Sequence, residues 1–211
     1  MPINTDDATK PDYVRPEVVA ASKDLTLIHA LQGGPQAMWD ASTTYIRQWK
    51  DEERATYDIR RLCEPCEGLF VRTLSASVGK LFAKPPQWDF PASETVLRAH
   101  LDNIDGTGTK ADVALKEFAA DCLGDGFGII LVDHPRAPKG VTVTAANEGA
   151  LGLRPVWAFY ERASVLSWHT ATINNAEVLT RLVLREAVEQ PNGFGVAVVE
   201  KFRELYVERG V

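Results

Sequence analysis

Gly124-Asp125-Gly126-Phe127-Gly128-Ile129-Ile130-Leu131-Val132-Asp133 is the stretch on which the fold turns. Upstream of it, apolar residues return every three or four positions. Downstream, they come in short runs of alternating or β-branched residues. The run from Gly126 to Asp133 is rich in β-branched side chains and bounded by Gly and by Pro135, which reads as a strand. The glycines stand after a helical pattern and before a strand. A dinucleotide-binding loop needs the reverse order, strand first and helix second. These glycines are therefore expected to end a helix and to let the strand start close against a neighbour.

Working back from this point, Leu115, Phe118, Ala119, Cys122 and Leu123 recur at helical spacing. Thr109 with Asp112 fits a capping box at the start of that helix. Asp105, Gly106, Thr107 and Gly108 form a turn, preceded by a helix over Glu94–Ile104 that carries Val96, Leu97, Leu101 and Ile104. The strongest helical pattern lies at 66–82. There Leu69, Phe70, Leu74, Val78, Leu81 and Phe82 belong to one continuous stripe and are expected to be buried; an exposed stripe would instead mark a contact with a further part of a longer protein or with a neighbour. Lys84, Pro85 and Pro86 stop it. A charged helix over Glu52–Leu62 leads into it, with a bend near Pro65. Residues 36–50 show no clean period. Glu17–Leu31 reads as a helix with Val18, Ala21, Leu25, Ile28 and Leu31 on one face, ended by Gly33, Gly34 and Pro35.

Working forward, residues 134–153 read as a long loop. Pro155–Tyr160 and Val165–His169 are strands joined by a turn at Glu161–Ala163. Val178–Val188 and Val196–Val207 are longer strands, with Gln190, Pro191, Asn192 and Gly193 as the hairpin signal between them. Helices in the first 125 residues followed by mostly antiparallel strands define an α+β protein. Three regions follow from the pattern: an extended or disordered arm at 1–15, a helical region at 16–84 and an α+β region at 85–211.

A net charge of -6 argues against non-specific nucleic-acid binding as the main task. No apolar run reaches the ~20 residues of a membrane helix. The first residues lack the apolar core of a signal peptide, so an intracellular protein without membrane partners is expected. Three cysteines make no disulfide framework. Cys63 and Cys66 form a C-x-x-C, but no second ligand pair accompanies them, and a structural role is the better reading. Asp133 and His134 end a strand, where catalytic groups occur, yet no serine or cysteine elbow stands beside them. His29, His100 and His169 read as structural. Asp102 with Asp105 and Asp121 with Asp125 read as solvated turns, since the twelve-residue calcium-loop pattern is missing. Arg54, Arg60, Arg61 and Arg72 are interleaved with Glu52, Glu53, Glu64 and Glu67, a mixed-sign face rather than a DNA stripe. No catalytic residue, metal or cofactor is expected.

Several landmarks in order carry a resemblance. They are Val78-Gly79-Lys80-Leu81-Phe82-Ala83-Lys84-Pro85, then Leu101 to Gly108, then Gly124 to Pro135. Arg154-Pro155 with Tyr160 and Val165-Leu166-Ser167-Trp168 follow, then Leu179-Thr180 with Leu182 to Glu186, and finally Glu200 to Tyr206. Over roughly residues 36–207 the chain resembles a portal-like family of tailed-phage structural proteins. The first fifteen residues and the Cys63/Cys66 pair have no counterpart in the resemblance.

The resemblance implies a structural subunit of a portal, the head–tail connector ring through which DNA is packaged and ejected, and implies that this chain is its N-terminal, wing-like half. Stem, clip and crown would follow Val211. The full-length protein is then expected to form a closed ring of twelve subunits, and the 211-residue chain alone to assemble weakly or not at all. Implied partners are further copies of itself, terminase, capsid and head–tail adaptor proteins, and double-stranded DNA that passes without sequence readout. The implied location is the portal vertex of the virion, and the host cytoplasm during assembly. Two alternatives stand beside it: another phage connector or capsid-vertex interaction protein, and a small hydrolase using Asp133 and His134.

Overall fold

In the computed structural model, residues 4–63, 68–91, 95–135, 137, 140–144, 147, 149 and 151–207 are described. Among them the helices are α1 (Pro16–Gln32), α2 (Gly34–Asp40), α3 (Ser42–Tyr45), α4 (Arg54–Cys63), α5 (Leu69–Leu81), α6 (Thr95–Leu101) and α7 (Ala111–Asp125). The strands are β1 (Gly128–Asp133), β2 (Val156–Glu161), β3 (Val165–Ile173), β4 (Ala176–Asn192) and β5 (Gly195–Tyr206), with a 3-10 turn at Arg162–Ser164. All strand pairing is antiparallel: β1 with β2, and β3-β4-β5 as a meander. The fold is α+β, helices first and strands after.

The chain divides into two compact units, Met1–Glu64 with Arg162–Val211, and Pro65–Glu161. This differs from the boundary expected at 84/85. The helix α5 packs on α7 and belongs with it, whereas the strands after residue 162 return to the N-terminal helices. The 3-10 turn therefore passes the chain from one sheet to the other rather than joining two strands of one sheet.

In the first unit, the backbone N–H of Arg15 donates to the Leu166 carbonyl at 3.0 Å, tying the start of α1 to β3. Val165, Leu166, Leu182, Val183 and Leu184 are buried, Leu184 completely. Three consecutive buried residues in β4 mean that both faces of the sheet are covered at that point, since neighbours along a strand face opposite ways. Leu25 of α1 is buried, while Val18, Ala21, Ile28 and Leu31 are half-buried, so the expected face is the inward one.

Residues 4–15 are not an extended arm. The side-chain oxygen of Asn4 accepts the N–H groups of Asp6 and Asp7, its amide donates to Asp12 at 2.8 Å, and the Val14 N–H donates to the Asn4 carbonyl at 2.8 Å. Asn and Asp side chains that mimic backbone turns close this segment on itself. The segment 36–50, which has no period, holds the two short helices α2 and α3. Gly34 sits at φ +75°, which lets α2 begin directly after α1 ends at Gly33.

Two hairpin turns join the meander. Asn174 and Asn175 at φ 52° and 63° form a two-residue turn between β3 and β4, the left-handed pair that a type I′ turn requires. Asn192 pairs with Gly195, so the β4–β5 turn is Gly193-Phe194, two residues later than the Pro191-containing signal suggested. Pro191 is instead inside β4, beyond the part paired with β3, where one edge of the strand is open.

In the second unit, Ile104, Ala111 and Ala114 form the buried centre, with Leu101, Trp157 and Phe159 packed against it. The stripe at 66–82 is not buried as a whole, contrary to its spacing. Val78 is buried; Phe70, Leu74 and Phe82 are half-buried; Leu69 and Leu81 are 59% and 63% exposed. The reason is that α7 covers one side of α5, while a continuous stripe needs cover on a wider arc. Cys66 and Pro65, which the sequence pattern assigned to this helix and to a bend before it, lie outside the described residues.

Candidate functional site

The glycine-rich stretch has a mechanical role. Gly126, at φ +100°, follows the last turn of α7, and its N–H donates to the Cys122 carbonyl at 2.9 Å. Gly128 opens β1 so close to α7 that an added Cβ would stand 2.5 Å from the Phe118 ring and 3.0 Å from the Cys122 sulfur. No helix N-terminus follows these glycines to receive a phosphate.

Asp133 ends β1 in register with Val156. His134 is exposed, and the hydrogen bond its ring makes runs between Nδ1 and the Pro135 carbonyl at 3.0 Å. A base needs a hydrogen-bonded nucleophile, and among the described residues no hydroxyl or thiol is bonded to the His134 ring. His29 lies in the last turn of α1, His100 in α6 and His169 on β3. Among the described residues no three His, Cys, Asp or Glu side chains gather where they could hold a metal ion.

Asp105 organises a turn. Its Oδ1 accepts the Thr107 and Thr109 N–H groups at 2.8 and 3.1 Å, and its Oδ2 accepts the Thr107 hydroxyl. The hydrogen bonds from Thr107 and Thr109 hold its carboxyl well below the usual carboxylate range. Gly106 and Gly108 take positive φ, and Ile104 is held on both sides, its N–H by Thr109 and its carbonyl by Trp157. This turn displaces the expected Thr109/Asp112 capping box. The residue before α7 is Lys110, which makes no side-chain cap, and the Asp112 carboxylate instead accepts the Trp88 indole N–H at 3.0 Å. With its oxygens engaged by N–H and O–H donors, Asp105 is a turn anchor rather than a calcium ligand.

The arginines of α4 surround one buried ring. Tyr57, 2% exposed, donates its hydroxyl hydrogen to the Ile46 carbonyl at 2.7 Å. Arg60 binds Glu52 at 2.7 Å and the Arg47 carbonyl at 2.8 Å and stacks over Trp49 at 4.4 Å; Arg54 lies 5.3 Å from the Tyr57 centroid. Arg60 holds the Glu52 carboxyl below its ordinary range. Arg60 is mostly covered and engaged within the fold, whereas Arg54 stays exposed and pairs with Asp58 at 3.1 Å. Sequence reasoning named the arginines but missed Tyr57, whose only local signal was an aromatic residue in an otherwise charged helix.

Cys63 is exposed at the end of α4, and its partner in the C-x-x-C lies outside the described residues. Cys122 is half-buried on α7, where burial and then the neighbouring Asp121 charge push its thiol up, the condition of an unreactive cysteine.

What the chain offers is surface. A polar cleft of about 500 Å³ lies in the first unit, but its cations are matched: Arg15 pairs with Glu17, Arg181 with Glu204, and Lys10 with Asp7. The second unit has an open groove of about 560 Å³ between α5 and α7, walled by Val78, Phe82, Pro85, Pro86, Val113 and Ala120. It is predominantly apolar, the character of a surface that takes a hydrophobic anchor. Leu81 and Val113, 63% and 48% exposed, and Leu123, 52% exposed, add to the apolar surface of the same two helices. Compared with known proteins, the chain matches no protein-family model and no curated protein.

Proposed function

We propose that this chain is an assembly subunit of the portal type, the wing-like part of a head–tail connector ring, and that its work is done by contacts with further copies of itself rather than by catalysis. The observation that carries this reading is apolar surface left open in each unit: Leu69, Leu81 and Val113 in one, Phe194, Val196 and Val198 in the other. Exposed apolar surface of this kind marks association sites.

DNA would pass such a ring without sequence readout, and a net charge of -6 suits a channel protein that does not retain it. The order of landmarks from Val78 to Tyr206 supports the portal type over other connectors. The test is light scattering of the chain and of the full-length protein over a wide concentration range, with electron microscopy of the particles formed. The expected result is a closed ring with rotational symmetry from the full-length protein and weak association, or none, of the 211 residues. A full-length protein that stays monomeric at the highest concentration would overturn the proposal. Particles without a rotation axis would move it to the capsid-vertex class. Terminase, capsid and adaptor proteins are its proposed partners, and the portal vertex its proposed location.

A further inference from the structure

The polar cleft of the first unit, about 500 Å³, is walled by one face of the meander and by residues 8–17. The strand register builds its floor. Ser167 opposes Val183, and Val183 opposes Glu204; in the next row His169 opposes Arg181. Directly opposed residues share a face, and so do residues two apart along a strand. These side chains therefore stand on one side of the sheet. Pro11, Tyr13 and Pro16 line the cleft from the N-terminal segment.

The charges of the cleft are matched, and its neutral polar groups are not. Arg15 pairs with Glu17, Arg181 with Glu204, and Lys10 with Asp7. Among the described residues, nothing hydrogen-bonds the Ser167 hydroxyl, the Tyr13 hydroxyl or the His169 ring. Ser167 is 6% exposed. An enclosed hydroxyl without a protein partner is satisfied by what enters from outside, water or a ligand that displaces it. Hydroxyls and a neutral imidazole both donate and accept. The matching ligand is uncharged, carries groups that do the same, and has an apolar side for Tyr13, Pro11 and Val183. A sugar has this composition, with hydroxyls at its rim and C–H groups on its face. A free anion would meet Glu17 and Glu204 while Lys10, Arg15 and Arg181 are already paired. A peptide strand is recognised at a sheet edge, whereas this cleft lies on a face.

We infer that the cleft is a binding site for a neutral mono- or disaccharide. Ser167, His169 and Tyr13 bond its hydroxyls, and the ring of Tyr13 covers its C–H face. The Arg181–Glu204 pair turns its remaining donors and lone pairs to the same ligand. The volume lies within the range of small-molecule sites. The site uses none of the apolar residues assigned to assembly, so the inference goes beyond the portal-type reading and does not rest on it.

Nuclear magnetic resonance of the isotope-labelled chain tests it, with the His169 ring signal assigned through His169→Ala. The probes are glucose, galactose, mannose, N-acetylglucosamine and maltose, each titrated at constant pH. Inorganic phosphate and end-blocked trialanine are the comparison ligands. At least one sugar is expected to shift the His169 signal saturably, and the comparison ligands are expected to leave it in place. Tyr13→Phe and Ser167→Ala each remove one hydroxyl and should each weaken that binding roughly 2- to 12-fold. Lys23→Ala, an exposed position on α1, should leave it unchanged. Should Ser167→Ala fail to fold, Tyr13→Phe carries the comparison. No saturable shift with any of the sugars would overturn the inference. Phosphate binding as well as the sugars or better would make this an anion site, and trialanine doing so a peptide site. Sugar binding that both variants leave intact would place it elsewhere on the chain. Each of these results sinks the inference, while the presence or absence of a ring by electron microscopy bears on the portal-type reading alone.

Discussion

Replacing Gly128 by Ala tests the reason for a glycine where helix gives way to strand. The backbone there is not left-handed, so the substitution introduces no φ strain; only space is at issue. The new methyl would lie 2.5 and 2.8 Å from Phe118 Cε2 and Cζ and 3.0 Å from the Cys122 sulfur, distances that force a neighbour to move. Phe118 cannot swing freely, because it packs against Phe159 with ring centroids 5.3 Å apart. Overpacking of this kind costs ~1–3 kcal/mol. Against it stands the entropy that Ala removes from the unfolded chain, about 0.4–1 kcal/mol. The net expectation is a loss of about 1–2 kcal/mol, read as a lower urea midpoint with unchanged slope and a melting point lower by roughly 2–8 °C per kcal/mol, depending on the size of the cooperative unit. The control is a double-mutant cycle. In a Phe118→Ala background the methyl has room, so Gly128→Ala becomes neutral or slightly stabilising, with a coupling energy of about 1–3 kcal/mol. A Gly128→Ala protein as stable as the native one, or a cycle with additive costs, would refute the close-approach account.

Asp105→Asn keeps the shape of the turn and loses the charge. The folded carboxyl titrates below its unfolded value, so its contribution is present above about pH 4 and disappears as pH falls through the folded value. Native protein should exceed the variant by about 1 kcal/mol near pH 7, and urea melts at successive pH values should show the gap closing in acid; a constant gap would contradict it. Tyr57→Phe removes the bond to the Ile46 carbonyl and should cost about 1 kcal/mol, whereas Tyr57→Ala empties a site 2% exposed and should cost ~3–5 kcal/mol; equal melts for the two variants would show that the ring is not what holds residues 46–61. Phe70→Ala, at a half-buried position, should cost about 1–2 kcal/mol rather than the ~3–5 kcal/mol of an enclosed ring. Leu69→Ser and Leu81→Ser should stay within about 0.5 kcal/mol in dilute, unassembled protein, and a large loss in chemical denaturation would mean that the outer α5 stripe is covered after all.

The candidate surfaces were only partly legible in advance. The apolar stripe through Val78 and Phe82 was visible from its spacing, and so was the rule that an exposed stripe marks a contact. Nothing in that spacing said which side of α5 would meet α7, or that Pro85, Pro86 and Val113 would complete a groove. The tip at Phe194 was hidden by a stronger nearby signal. Pro191-Asn192-Gly193 looked like the turn, yet the turn falls at Gly193-Phe194, because register along β4 and β5 is set by pairing over their whole length. The turn at Asn174-Asn175 does carry a readable signal, two residues that tolerate left-handed backbone between β-prone runs.

The amino-acid sequence by itself determined the α+β class, the helices around 17–31, 52–62, 66–82 and 109–125, the strand after Gly128 and the turn at Asp105. Each of these depends on periodicity, on glycine geometry or on a side chain that bonds its own backbone within a few residues, so the information is local. Tertiary structure alone decided that the strands after Arg162 join the N-terminal helices while Pro65–Glu161 folds as its own unit. It alone decided that Tyr57 is buried among arginines, and that Leu69, Leu81 and Phe194 stay in water. Burial is a property of what arrives from elsewhere in the chain, and an apolar residue with helical spacing reads the same whether its far side meets a core, solvent or another copy.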